Sequence, residues 1–243
     1  MGTFQTIKFK NETDKLTGLE ALVNENFYAL FTDYPQDKTI LIPENRLFMS
    51  AGTEVRGEKL VSGIKGIPDA LLIVFNKKNA NPFQINLIEY ECFGESKVRA
   101  SDKSNYMNGQ IIPQLMKFAS SFSIVTDRHI RDQTITAWSE KIITYIFNDI
   151  TLKNKMIAWI KTIEPAISDH LVGYHINNLL REAFETNLKI LLIIDELSSE
   201  QKQTITNVIH AFKLPNEQSI QFNAFQVRLE QRINVIDEKA EYA

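Results

Sequence analysis

The chain has 243 residues, 44% of them hydrophobic, one cysteine and a formal charge of −3 at pH 7. That is enough apolar material for a real core in one large domain or two small ones, and the lone Cys92 excludes an internal disulfide framework. The slight negative charge excludes a general attraction to nucleic acid or anionic membrane, so a polyanion would have to meet a local basic patch. No N-terminal apolar signal segment precedes the chain's polar start, and the most apolar run, LKILLIID, is only strand-sized. The expectation is a cytoplasmic protein without membrane association.

In TDKLTGLEALVNENFYALF, residues Leu16, Leu19, Leu22, Val23, Phe27, Leu30 and Phe31 recur at helical spacing, which predicts an amphipathic helix capped by Thr13 or Asp14. KTILIPE and RLFMSA read as short strands, and GTEVRGEKLVSGIKGIP has the glycine density of turns between strands. Two apolar runs at 69–75 and 85–93 then flank the polar loop NKKNANP and predict a buried antiparallel pair. The loop is nearly symmetric about Asn79, which sets Asp69 opposite Glu89; a centre at Ala80 would set it opposite Glu91. In both registers the three acids share one face, because strand side chains repeat every second residue.

SNYMNGQIIPQLMKFASS predicts a helix with an internal proline and with Ile111, Leu115 and Phe118 on one side. Residues 126–187 are helical in pattern, in three runs, the last capped by Ser168 or Asp169. LKILLIID returns to strand, SSEQKQTITNVIHAF is a helix opened by serines, and SIQFNAFQVRLE alternates like a final strand. This order predicts an α/β fold, a mixed central sheet flanked by helices, in one domain over 1–243 with an all-α insertion at 126–187.

Unpaired buried carboxylates each cost several kcal/mol in order of magnitude unless they take up a proton or a partner. Acids converging at the end of a buried hairpin therefore suggest a hard divalent cation. Mg²⁺, with Mn²⁺ as a substitute, needs only two or three carboxylates, a backbone carbonyl and waters. Such an ion could polarise a phosphodiester and acidify an attacking water.

Pro68 and Asp69, twenty residues of hairpin, then Glu89, Tyr90 and Glu91 resemble the PD-(D/E)xK nuclease superfamily, whose restriction-endonuclease-like core runs helix, three strands, helix, strand. LEALVNENFYAL is similar to that family's first helix, with Glu20 matching an acid there, and QLMKF is similar to the helix after the site, with Gln114 matching a recurrent glutamine. The resemblance covers residues 13–125 and, more loosely, the strand at 189–195. It implies a DNA endonuclease of a restriction, phage-defence or repair system. Asp69 and Glu89 would hold the metal with the Tyr90 carbonyl, and Glu91 would orient or deprotonate the attacking water. Glu91 stands where the family usually carries lysine; Lys97 or Lys103, just beyond the strand, is placed to supply the ammonium.

Other readings remain. Asp69 could cap a turn while Glu89 and Glu91 line a solvated strand end beside Lys77, Lys78 or Lys97, and the fold could serve a non-cleaving nucleic-acid-binding or regulatory module. His170 and His175 are five apart, off zinc-helix spacing, and with His129 and His210 read as helix-surface residues. Cys92 reads as core. There is no Walker loop, GxGxxG or GxSxG. For DNA, several of Arg128, Arg131, Lys141, Lys153, Lys155 and Lys161 would need to share one side of the helical block. Cutting both strands calls for a homodimer, with the stripe Trp138, Ile142 and Ile146 as a candidate interface.

Overall fold

The computed structural model describes residues 2–43, 54–55, 58–59, 66–236 and 239–242. The chain begins with β1 (Gly2–Ile7), a strand absent from the sequence expectations because its described side chains are exposed and show no burial period. Helix α1 (Leu19–Leu30) starts later than Thr13 or Asp14 would have it. Asp14 closes a turn instead, its carboxylate accepting from the N–H groups of Leu16 and Thr17 at 3.1 and 2.9 Å, and Leu16 is 82% exposed. The first N–H groups of α1, on Leu19 and Glu20, donate to the carbonyls of Asn11 and Glu12 at 3.1 and 3.0 Å, so loop backbone replaces a side-chain cap.

Next come β2 (Thr39–Ile42) and a two-residue pair, β3 (Glu54–Val55) with β4 (Glu58–Lys59). The strand expected in RLFMSA lies outside the described residues. The predicted hairpin forms as β5 (Ala70–Phe75) and β6 (Phe83–Glu91), with Ala70 paired to Ile88 and Phe75 to Phe83. This is the register centred on Asn79. The proline-containing helix is one helical run in three parts: α2 (Ala100–Tyr106), a π-helical turn (Met107–Ile111) and α3 (Ile112–Phe122). Ile111, Leu115 and Phe118 are buried on one side, as their spacing predicts.

The helical block is α4 (Arg128–Asn148), α5 (Ile150–Ile163) and α6 (Asp169–Thr186). Asp127 and Asp149 cap the first two through their carboxylates; Ser168 precedes the third without a side-chain cap bond. β7 (Leu188–Ile194) leads to α7 (Ser199–His210), which opens on a capping box between Ser198 and Gln201. SIQFNAFQVRLE is not one strand. It divides into β8 (Gln221–Gln226) and the start of β9 (Leu229–Ile236), which pairs with β1 and β10 (Lys239–Tyr242) in a separate three-stranded sheet.

The main sheet has the order β2-β5-β6-β7-β8; its first pairings are antiparallel, and β6–β7 and β7–β8 are parallel. It is a mixed sheet flanked by helices, within the expected α/β class. One face, carrying Leu71, Ile73, Ile85 and Leu87, shares a core with α3 to α7. The other, carrying Leu72, Ile88 and Tyr90, packs against Leu19, Val23 and Phe27 of α1. Trp138, Ile142 and Ile146, the candidate dimer stripe, are buried in the first core, so that stripe is intramolecular packing. Among the described residues no helix is long and apolar enough to cross a membrane.

Candidate functional site

Strand alternation dictates where the acids fall. Leu87 and Phe93 face the helix-covered core and Ile88, Tyr90 and Cys92 the α1 side, so Glu89 and Glu91 project with the former set. Asp69 stands one residue before Ala70, and its N–H donates to the Ile88 carbonyl at 3.0 Å, one residue off the Ala70–Ile88 register, so the ladder ends at Ala70; the repulsion that Asp69 exerts on Glu89 marks the two carboxylates as neighbours. Its carboxylate accepts from the Tyr90 N–H at 2.9 Å. The Tyr90 carbonyl points to the same edge, because the N–H and C=O of one strand residue project together. On its other side Tyr90 is anchored to α1, its hydroxyl donating to Asn24 at 2.6 Å.

The approach to Asp69 is held by packing. A Cβ on Gly66 would lie 2.5 Å from a ring carbon of Phe118, so only glycine lets the chain pass α3 there. Gln114, on α3, reaches the Ile67 carbonyl at 3.5 Å and thus touches the turn before Asp69 rather than the acids.

Burial gives these carboxylates unusual acidity. Glu89 is 6% exposed and Glu91 5%. Burial, with Asp69, Glu91, Glu12 and Glu20 adding repulsion, pushes Glu89 well above the ordinary carboxylate range. Burial raises Asp69 to about 7, against the stabilising Tyr90 N–H and with Glu12 and Glu20 adding to the rise. Glu91 is likewise raised by burial to about 7, countered by the Tyr106 hydroxyl, which donates to it at 2.6 Å, and by the Lys97 ammonium. Glu20, in the first turn of α1, is raised by burial.

The structure therefore brings Asp69, Glu89, Glu91 and Glu20 into one electrostatic neighbourhood and adds Glu12, which the sequence analysis overlooks. Glu12 is raised to about 7 by burial, then by Glu91 and Glu20. Its loop carries no secondary-structure pattern; the one signal was an acid eight residues before Glu20. Tyr106 was overlooked for a similar reason, since a tyrosine one turn into a helix reads as packing.

Of the two candidate lysines, Lys97 lies at the site. Its ammonium donates to the Cys92 carbonyl at 3.2 Å, stands 3.9 Å from the centre of the Tyr106 ring, and lowers both Glu91 and Glu12. Lys103 instead pairs with Glu196. Asp195, just past β7, accepts from the N–H groups of Phe93 and Gly94 at 3.0 and 2.9 Å and so fixes the loop that returns Lys97. Cys92 is buried beside it, its thiol raised by burial.

Among the described residues no group of three or more His, Cys, Asp or Glu side chains is arranged to hold a metal ion. The donors do have the right chemistry for a hard cation that keeps most of its waters: two neighbouring carboxylates, a carbonyl on the same edge, and one Glu89 oxygen, Oε2, buried without a hydrogen-bond partner among the described residues.

Several of the candidate cations on the helical block are engaged within the fold. Arg131 is 7% exposed, its guanidinium donating to the carbonyls of Ser123 and Thr126 at 3.2 and 3.1 Å. Lys155 donates to the Gln36 and Thr39 carbonyls, Lys153 stands over the Phe147 ring, and Arg128 pairs with Asp132. Arg131 and Lys155 are thus engaged by main-chain carbonyls within the fold.

No family model matches the chain, and neither the curated proteins nor the solved structures contain a significant match.

Proposed function

We propose that the chain is a Mg²⁺-dependent DNA endonuclease of the PD-(D/E)xK kind. The observation that carries this reading is the buried Oε2 of Glu89, which has no partner among the described residues and lies in the charge neighbourhood of Asp69. A carboxylate in that position needs a proton or a cation, and a cluster of like charges favours a divalent ion. The order α1, β2, β5, β6, α2–α3, β7, with β7 parallel to β6, supports it as the element order of that core.

Asp69, Glu89 and the Tyr90 carbonyl would hold Mg²⁺, with Glu20 and Glu12 close enough in charge to act on its waters. When bound, the ion would supply Lewis-acid polarisation of the phosphodiester and a more acidic water. Glu91 orients that water and takes its proton, with the Tyr106 hydroxyl fixing the carboxylate. Lys97, over the Tyr106 ring and close enough to lower Glu91, would offer positive charge to the phosphorane-like transition state. A non-cleaving module built on the same fold is the second reading, favoured by Glu91 at the position of the family lysine.

Supercoiled plasmid with Mg²⁺ or Mn²⁺ separates them. The expected result is conversion to open circle, abolished by EDTA and by Asp69→Ala. No conversion above background, or equal conversion by the Asp69→Ala protein, would overturn the hydrolytic reading.

A further inference from the structure

Residues 226–229 carry the chain from the main sheet into the small one, held down where the Val227 N–H donates to the Ile194 carbonyl at 2.9 Å. Two cavities lie over this crossing, of about 450 and 280 Å³, and both are lined by Phe9, Gln226, Val227, Arg228 and Leu229. Sharing these five residues, they adjoin as two parts of a trough at the carboxyl ends of the parallel strands β6, β7 and β8, where ligands of open α/β sheets bind. The larger part alone falls in the range of small-molecule sites, about 300–1,000 Å³.

The two ends differ in chemistry. The larger is walled by the rings of Phe31, Tyr34 and Phe225, with Phe31 and Phe225 in contact at 4.9 Å between centroids, and has the exposed Asp33 carboxylate at its rim. The smaller holds Lys8 and Lys103. Lys103 is paired with Glu196, whereas Lys8 and Arg228 are exposed and make no hydrogen bond or ion pair among the described residues. An aromatic wall with an exposed guanidinium and an exposed ammonium beside it suits a flat ring joined to an anion. A fatty acid would fit the apolar end but gains nothing from Asp33, whose acceptor oxygens match the exocyclic amine of cytosine, adenine or guanine. The basic end also includes Phe93 and Gly94, which follow Glu91 by two and three residues.

We propose that this trough takes one unpaired nucleotide of a nucleic-acid strand, its base against Phe31, Tyr34 and Phe225 and its phosphate at Arg228 and Lys8. The site rests on nucleic acid being the partner in the reading above, though not on cleavage. Stacking on aromatic rings with phosphates on basic side chains is how sequence-tolerant strand binding works.

The test is fluorescence anisotropy of a labelled deoxycytidine decamer in EDTA, so that no hydrolysis contributes. The decamer is expected to bind, and a decamer of abasic sites to bind roughly five- to tenfold more weakly, the loss of one stacked base. The Lys8→Glu, Arg228→Glu double variant, with both changes on exposed side chains, should keep its melting temperature. It should lose about tenfold in affinity, and its salt slope should fall by about 0.7, the value for one phosphate contact on a single strand. Failure of the decamer to bind, equal binding of the abasic decamer, or an unchanged double variant would overturn the proposal. Because binding is read without cation, decamer binding without plasmid nicking would remove only the hydrolytic reading. Nicking without decamer binding would remove only this one.

Discussion

Glu89, set among neighbouring acids, carries one buried oxygen with no partner among the described residues, so its cost to the folded chain depends on pH. Asp69, Glu91 and Glu12 titrate near 7 when folded, against about 4 for carboxyls in an unfolded chain. Between those values the folded state binds more protons, so stability is full at the acid end of the window and falls as pH rises through 7. Asp14, depressed by Lys10, acts in the opposite sense and only at more acid pH. Urea denaturation in EDTA should therefore give a lower midpoint at pH 8 than at pH 5.5, with Mg²⁺ restoring more at pH 8; a midpoint independent of pH would contradict the clustered acids. Glu89→Gln should raise the stability of the metal-free protein at pH 8 by about 1–3 kcal/mol while abolishing nicking. Tyr106→Phe removes a bond that lowers Glu91, so the acid limb of the pH–rate profile should move to higher pH. An unmoved limb would show that Glu91 does not titrate in the reaction.

At the level of elements, Gly66 offers the sharpest test of what places Asp69. Alanine there would press on Phe118, which is 1% exposed and cannot swing away, so Gly66→Ala should cost about 1–3 kcal/mol in urea unfolding and reduce nicking out of proportion. The hairpin and the three helices of the insertion were legible because long apolar runs with polar breaks repeat their period many times, whereas the sequence left two hairpin registers open and the structure selects the one centred on Asn79. The small sheet was not legible, since exposed strands such as β1 leave no burial alternation to read. Likewise Asp69, Glu89 and Glu91 could be placed on one face from strand period alone. Glu12, Tyr106 and the choice of Lys97 over Lys103 depend on loops, whose course is decided by tertiary bonds such as those of Asp195. Arg131 shows the limit of counting charges: a cation in sequence became a buried helix-loop brace.

For the whole molecule, the described residues bring acids together around Asp69, Glu89 and Glu91, and one such cluster can serve one scissile phosphate at a time. A single chain should therefore nick, and double-strand breaks should require two molecules related by a two-fold axis. With Trp138, Ile142 and Ile146 inside the core, any such pairing must use another surface. Light scattering together with the dependence of linear product on enzyme concentration checks this: a monomer that makes linear plasmid at first order would refute it. Since Arg131 is buried, reversal of Arg128 alone is the informative surface change. Its exposed pair with Asp132 contributes little to folding, so DNA affinity can be read free of stability.

The π-helical turn at Met107–Ile111 is equivalent to one surplus residue in an otherwise α-helical run, and Pro113 follows it in the first turn of α3, where a missing N–H is tolerated. Each residue of an α-helix advances the azimuth by about 100°. Deleting Gly109, whose surroundings are open, together with Pro113→Ala would let the run close into a continuous α-helix. With Ile111, Leu115 and Phe118 fixed in the core, the correction would turn Tyr106 about 100° away from Glu91. A single-residue length change would thus disconnect hydroxyl from carboxylate while leaving helix content intact, visible as unchanged far-ultraviolet circular dichroism with the pH–rate profile of Tyr106→Phe.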